Sequence, residues 1–286
     1  MRQFTPEKLV IFDYSGTLSL DAPRFGRQEN LVPALAETGL AALGVATPEA
    51  FWDQIVNPTW TEGSTTDAGY KKVMVGRIAA LGLAPGAPAG EIEAAASRFV
   101  DRYLVESRID PHWRPVLSHL SARPDTAVIV ATDHYAEATE TIIRYLRSWS
   151  IPARKTGKGG KGGTAPYFSV KNRELSPLFV ANSADLGAWK ADRRFWEIVK
   201  LQLSLEHLGR LLLIDDFGFN EEEGNSYSER AKVTVRQAKT TDLLREIFQT
   251  AVEVIPFCLA GDLQYQEEAR ARLIAEAAAR IDRFLG

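Results

Sequence analysis

Short continuous apolar runs, each closed by polar or acidic residues, alternate along this chain with longer stretches in which apolar positions recur at helical spacing. The first run, Leu9-Val10-Ile11-Phe12, stops at Asp13 and is followed by Tyr14-Ser15-Gly16-Thr17-Leu18. An unbroken apolar run of this length reads as a strand buried on both faces. The same reading applies to Thr126–Ala131, which ends in Thr132, Asp133 and His134, to Leu178–Ala181, and to Leu211–Ile214, which ends in Asp215 and Asp216. Helical patterns follow over about 136–149 and 193–205, and a last one spans about 266–284. Strand, polar strand end and helix in alternation predict parallel βαβ units. Residues 231–235 have the composition of an edge strand.

Between the first two runs the pattern changes. From Asn30 to about Ser107 the periodicity is helical throughout: Leu31, Leu35, Leu40 and Leu43 precede Gly44, and further helices are expected over 49–56, 67–81 and 91–105. The stretch Asn57–Thr66, rich in Pro, Thr, Gly and Ser, reads as a loop that brings Trp60 and Glu62 toward the sheet. The expected organisation is an α/β core of residues 1–20 and 110–286, interrupted by an all-helical insertion over 21–109.

Residues 154–171, dense in glycine and lysine, resemble a phosphate loop only superficially. Gly157 and Gly162 have the spacing, but Gly163 stands where the lysine belongs, and no strand leads in. The segment reads as a flexible basic excursion.

Composition narrows the class without choosing a function. With 286 residues, 45% hydrophobic and 25% charged, the chain can bury a large core, and a net charge of -3 argues against nucleic acid as a partner. The single cysteine, Cys258, has no internal partner and is expected as a small buried hydrophobe. No apolar run is long enough to span a bilayer, so no membrane association and a cytoplasmic location are expected.

The chemistry gathers at the strand ends. Asp13, Thr132 and the pair Asp215/Asp216 terminate three strands, and Lys190 precedes a helix between the last two. Carboxylates converging on the carboxyl edge of a parallel sheet need a cation, and an all-oxygen donor set suits Mg²⁺. A hydroxyl and an ammonium beside that ion would bind phosphoryl oxygens, and an aspartate there can attack phosphorus. In order and spacing, Asp13-Tyr-Ser-Gly-Thr-Leu18, Thr132, Lys190 and Ile214-Asp-Asp-Phe-Gly-Phe-Asn220 resemble the four motifs of the haloacid dehalogenase superfamily. The resemblance implies a Rossmann-like core with a helical cap of the C1 type. It implies Mg²⁺-dependent hydrolysis of a small phosphorylated metabolite through an aspartyl-phosphate. Asp13 would be nucleophile and metal ligand, with the Ser15 carbonyl, Asp215 and Asp216 as further ligands. Thr132 and Lys190 would hold the phosphoryl group, with Asp133, Trp60 and Glu62 near the substrate, and Gly16, Thr17 and Asn220 would support the site.

The chain departs from that pattern at Ser15, where most phosphatases of the superfamily carry an aspartate acting as general acid and base. A serine hydroxyl is too weak an acid for that role near neutral pH. Three alternatives stay open. Glu62, His134 or Asp21 supplies the proton transfer. Or the reaction is an unusual one, such as phosphoryl transfer, loss of a leaving group that needs no proton as from an acyl phosphate, or carbon–phosphorus cleavage with a cap lysine; Lys71 and Lys72 lie in the cap, but their context does not match the motif of the relatives that use one. Or the chain is a catalytically impaired binding or regulatory protein.

Overall fold

The computed structural model describes residues 6–83, 86–156, 176–221, 230–259 and 266–286. Strand β1 (Lys8–Asp13) leads into a helical insertion of α1 (Asp21–Phe25), α2 (Gln28–Thr38), a π-helical turn (Ala50–Val56), α3 (Asn57–Thr65), α4 (Tyr70–Leu81) and α5 (Ala89–Glu106). The chain returns through α6 (Arg114–Ser121) to β2 (Thr126–Thr132), α7 (Glu137–Ser148), β3 (Ala153–Lys155), β4 (Leu178–Asn182), α8 (Ser183–Leu186) and α9 (Arg193–Leu203). It closes with β5 (Arg210–Asp215), α10 (Arg230–Phe248), β6 (Ala251–Pro256) and α11 (Glu267–Leu285).

The six strands form one parallel sheet in the order β3-β4-β2-β1-β5-β6, a doubly wound Rossmann-like arrangement with β1 at its centre. Both faces of β1 are buried, which is why its sequence is apolar without alternation. Val10 and Phe12 join the core formed with α6, α7 and α11, while Leu9 and Ile11 join the core formed with α9 and α10. A third cluster, including Phe25, Leu35, Phe51, Met74, Ile78 and Phe99, fills the insertion, and Tyr135 reaches it from the loop after β2. No helix among the described residues is long and apolar enough to cross a membrane.

Three sequence-based expectations are corrected here. Residues 231–235 lie within α10, where Val233 packs into the core, and the edge strand of that side is β6 instead. Residues 57–65 of this stretch are helix α3 rather than a loop, with Thr66 as its C-terminal cap: Pro58 sits at its start, and the hydroxyls of Thr59, Ser64, Thr65 and Thr66 donate to carbonyls four residues back, spending their polarity on nearby helical backbone. Ala153–Lys155, at the start of the basic excursion, is strand β3, and residues 157–171 of that excursion lie outside the described residues.

Candidate active site

Parallel register brings the sequence-predicted acids together. Phe12 pairs with Ile214 and Asp13 with Ala131, so Asp13 and Asp215 end neighbouring strands at the same level and Thr132 ends the strand on the other side. Oxygens of Asp13, Asp215 and Asp216 lie within 4.8 Å of one another, and all three residues are buried. The Lys190 ammonium contacts Asp13 Oδ1 and lies 3.4 Å from Asp215 Oδ2. The Lys190 amide donates to Asp133 Oδ1 at 2.8 Å, and its carbonyl accepts from Trp196 Nε1 at 2.7 Å, which fixes both ends of the residue.

The supporting residues form a second, neutral framework. Asn220 donates from its amide to Asp216 Oδ2 (2.8 Å) and from Nδ2 to the carbonyls of Gly16 (2.6 Å) and Phe257 (2.8 Å), while its Oδ1 accepts from Leu259 N (2.8 Å). Thr17 Oγ1 accepts from the Asp216 amide at 3.0 Å. Gly16 has φ +81°, and a Cβ there would stand 2.6 Å from Asp216 Oδ2. Gly16→Ala is therefore expected to cost about 1–3 kcal/mol in backbone strain alone and to displace Asp216; urea unfolding monitored by circular dichroism, with wild-type stability as the contrary result, checks this.

The charges are unbalanced. Burial, with help from Asp215 and against Lys190, raises the Asp13 carboxyl to about 7. Burial and the charges of Asp13 and Asp215 hold Asp216 well above the ordinary carboxylate range. Burial likewise raises Asp133 against the pull of Lys190. Burial works against the Lys190 ammonium, but Asp13, Asp215 and Asp133 outweigh it and keep the amine charged. Among the described residues one ammonium, that of Lys190, thus acts on Asp13, Asp215 and Asp133, with Asp216 as a further acid beside them, and a buried all-oxygen cluster with that deficit fits a divalent cation. Asp13, Asp215 and Asp216 are the side chains placed to hold it.

The other sequence candidates have their contacts outside the acid cluster. Trp60 packs edge-on against Tyr135, and Glu62 is exposed on α3 with no hydrogen bond or ion pair to the acid cluster. Asp21 is paired with Arg270 at 2.8 Å. His134 is buried, which lowers it to about 4, and both ring nitrogens are engaged: Nδ1 accepts from the Tyr135 amide and Nε2 meets the Tyr103 hydroxyl, each at 2.8 Å. Nδ1 being an acceptor, the proton of this neutral imidazole sits on Nε2. Lys71 pairs with Asp101 at 2.6 Å, and Lys72 is exposed. Cys258 is only half-buried, not fully buried as expected, and burial beside Asp216 and Asp215 pushes its thiol up to about 11, which keeps it protonated.

One acid missed by sequence reasoning stands beside Ser15. Burial raises the Glu221 carboxyl to about 7, opposed by Arg236, by Arg27 and by a hydrogen bond from the Ser15 hydroxyl. Its place in a Glu-rich run directly after Asn220 reads in sequence as a solvated acidic turn. The only available signal is the missing acid at position 15.

No protein-family model and no curated protein matches the chain. Among solved structures it is similar to a 2-haloacid dehalogenase from Pseudomonas syringae pv. Tomato DC3000, at 15% identity and a TM-score of 0.43, over 80% of this chain and 99% of that one.

Proposed function

We propose that the chain is a Mg²⁺-dependent phosphohydrolase of the haloacid dehalogenase superfamily, acting on a small phosphorylated metabolite. The observation that carries this reading is the contact of Lys190 with Asp13 inside a buried cluster completed by Asp215 and Asp216. Asp13 attacks phosphorus while the bond to the leaving-group oxygen breaks, giving an aspartyl-phosphate that water then cleaves to regenerate the carboxylate and release phosphate. Lys190 and Thr132 bind the phosphoryl oxygens, and Asn220, Thr17 and Gly16 keep Asp216 in place. Mg²⁺, when bound by Asp13, Asp215 and Asp216 and by the Ser15 carbonyl, supplies positive charge to the transferring group. Residues 21–109 act as a cap over this edge.

The leaving-group oxygen needs a proton, and Ser15 cannot provide one. Glu221, a buried carboxyl beside the Ser15 hydroxyl that also feels Arg236 and Arg27, takes that role in this reading. Of the two cap lysines that the carbon–phosphorus alternative could use, Lys71 is engaged with Asp101 and Lys72 is exposed on α4.

The test is phosphate release from a panel of phosphorylated metabolites, with and without Mg²⁺, by the wild type, Ser15→Asp and Glu221→Gln. Metal-dependent turnover is expected from the wild type. Glu221→Gln should lose about 10²-fold or more on alkyl phosphates and much less on p-nitrophenyl phosphate, whose leaving group needs no proton. A wild type that stays silent while Ser15→Asp turns over would instead identify a scaffold redirected to binding.

A further inference from the structure

The segment that follows β2 faces two ways. Toward the acid cluster it presents Asp133, which holds the Lys190 amide at 2.8 Å. Toward the insertion, three of its next residues between them grip α3, α4 and α5. His134 Nε2 meets the hydroxyl of Tyr103 on α5 at 2.8 Å, and the neutral Nε2–H tautomer makes the imidazole the donor. The Tyr135 ring stacks on Tyr70 of α4 with centroids 3.9 Å apart and planes 4° from parallel, and it meets Trp60 of α3 edge-on. The backbone of α3 lies so close that a Cβ at Gly63 would fall 2.2 Å from the Tyr135 ring. Glu137, the first residue of α7, then spans the first turn of α4, its two oxygens accepting from the amides of Tyr70 (2.7 Å) and Lys71 (3.2 Å).

This last contact is a helix cap supplied from outside the helix. Gly69, which ordinarily would be the capping position of α4, has no side chain to offer, has φ +80°, and could not carry a Cβ, which would stand 2.7 Å from Glu137 Oε1. The free amides of the α4 terminus therefore depend on a carboxylate carried by the core. The same segment is tied to the sheet behind it: Asn182 Nδ2 donates to the Tyr135 carbonyl at 3.0 Å, and Ser183 Oγ accepts from the His134 amide at 3.1 Å. Few degrees of freedom separate the residues that grip the insertion from the residue that holds Lys190.

We infer that His134, Tyr135 and Glu137 are positioning residues that couple the seating of the helical insertion to the placement of Asp133 and Lys190. When the insertion is seated, α4 gains its cap, Tyr103 gains its donor, and the segment is held so that Asp133 receives the Lys190 amide. Lifting the insertion would strip Glu137 of two donors and Tyr135 of its aromatic partners at once, so the segment relaxes as a unit. The inference rests on the phosphohydrolase reading only in counting Lys190 as part of the reacting site.

Residue-resolved hydrogen exchange on the full-length chain, comparing the wild type with Glu137→Ala and Glu137→Gln, tests the coupling without requiring turnover. In Glu137→Ala the amides of Tyr70 and Lys71 should exchange about tenfold faster, the scale of a lost helix-terminal charge and cap. The Lys190 amide, which Glu137 does not touch, should lose protection with them, while Leu9–Ile11 and Leu211–Leu213 stay unchanged. Glu137→Gln, which keeps one acceptor, should fall between the two and serves alone where the alanine variant does not fold. Loss of protection at Tyr70 and Lys71 with wild-type protection at Lys190 would overturn the coupling, as would unchanged exchange at all three. In parallel, kcat for p-nitrophenyl phosphate with Mg²⁺ should fall with Lys190 protection. A wild type without turnover removes the phosphohydrolase reading and leaves the exchange result standing.

Discussion

Asp13→Asn is expected to abolish phosphate release, by on the order of 10⁴-fold or more, because it removes the attacking atom rather than a group that assists it. The same substitution should leave the fold intact, since asparagine has the shape of aspartate and β1 is held by its buried apolar residues on both faces. A second readout separates loss of chemistry from loss of structure. In the metal-free protein the Asp13 carboxyl lies at about 7 instead of 3.8 because of burial and Asp215. The folded chain therefore keeps a proton that the unfolded chain gives up, and stability falls as pH rises across that interval. Asp13→Asn deletes this contribution, so in the presence of a chelator its melting temperature should decline less than that of the wild type between about pH 4 and 7. Retention of turnover in the variant would remove Asp13 as nucleophile; an unchanged pH slope would show that the carboxyl is not perturbed in the way its burial implies.

The elements that place this residue were largely legible in the sequence, for a physical reason. β1, β2, β4 and β5 are covered on both faces, so their sequences are apolar without interruption and their ends show as the first acid, hydroxyl or amide. Asp13, Lys190, Asp215, Asp216 and Asn220, read from motif order, are brought into one cluster. Edge elements were harder. β6 alternates between exposed and buried positions and β3 has three residues, so neither makes an apolar run. The 231–235 segment carries valines in a strand-like alternation, yet its Val233 is one buried position of a long helix that also buries Leu244, Ile247 and Phe248. α3 was hidden by residues that usually mark loops and here bond back to their own helix. Glu221 and the gripping residues His134, Tyr135 and Glu137 could not be read locally at all. Their partners lie in other elements, and only the fold brings Ser15, Tyr103 and Tyr70 to them.

Lys190→Met is expected to fail in two ways that metal can tell apart. Among the described residues its ammonium is the one cation in contact with Asp13 and Asp215, and its side chain is 19% exposed against 8% and 9% for the two acids. Removing one partner of a buried ion pair leaves the other uncompensated, at a cost of about 3–5 kcal/mol. In a chelator at pH 8 the variant should lose stability on that scale by urea unfolding. At pH 5 the loss should shrink, because burial holds Asp13 at about 7 and it is then largely protonated, with no charge to compensate. Mg²⁺ should restore much of the stability at pH 8, since a cation held by the same acids stabilises the folded state by mass action. It should not restore turnover, which is expected to stay about 10²- to 10³-fold below wild type for want of the donor to the phosphoryl oxygens. Equal stability of the two proteins in chelator at pH 8 would mean that Lys190 does not carry the compensating charge. Rescue of both stability and turnover by Mg²⁺ would mean that its charge serves the cluster alone, and that Thr132 and the ion suffice to hold the phosphoryl group.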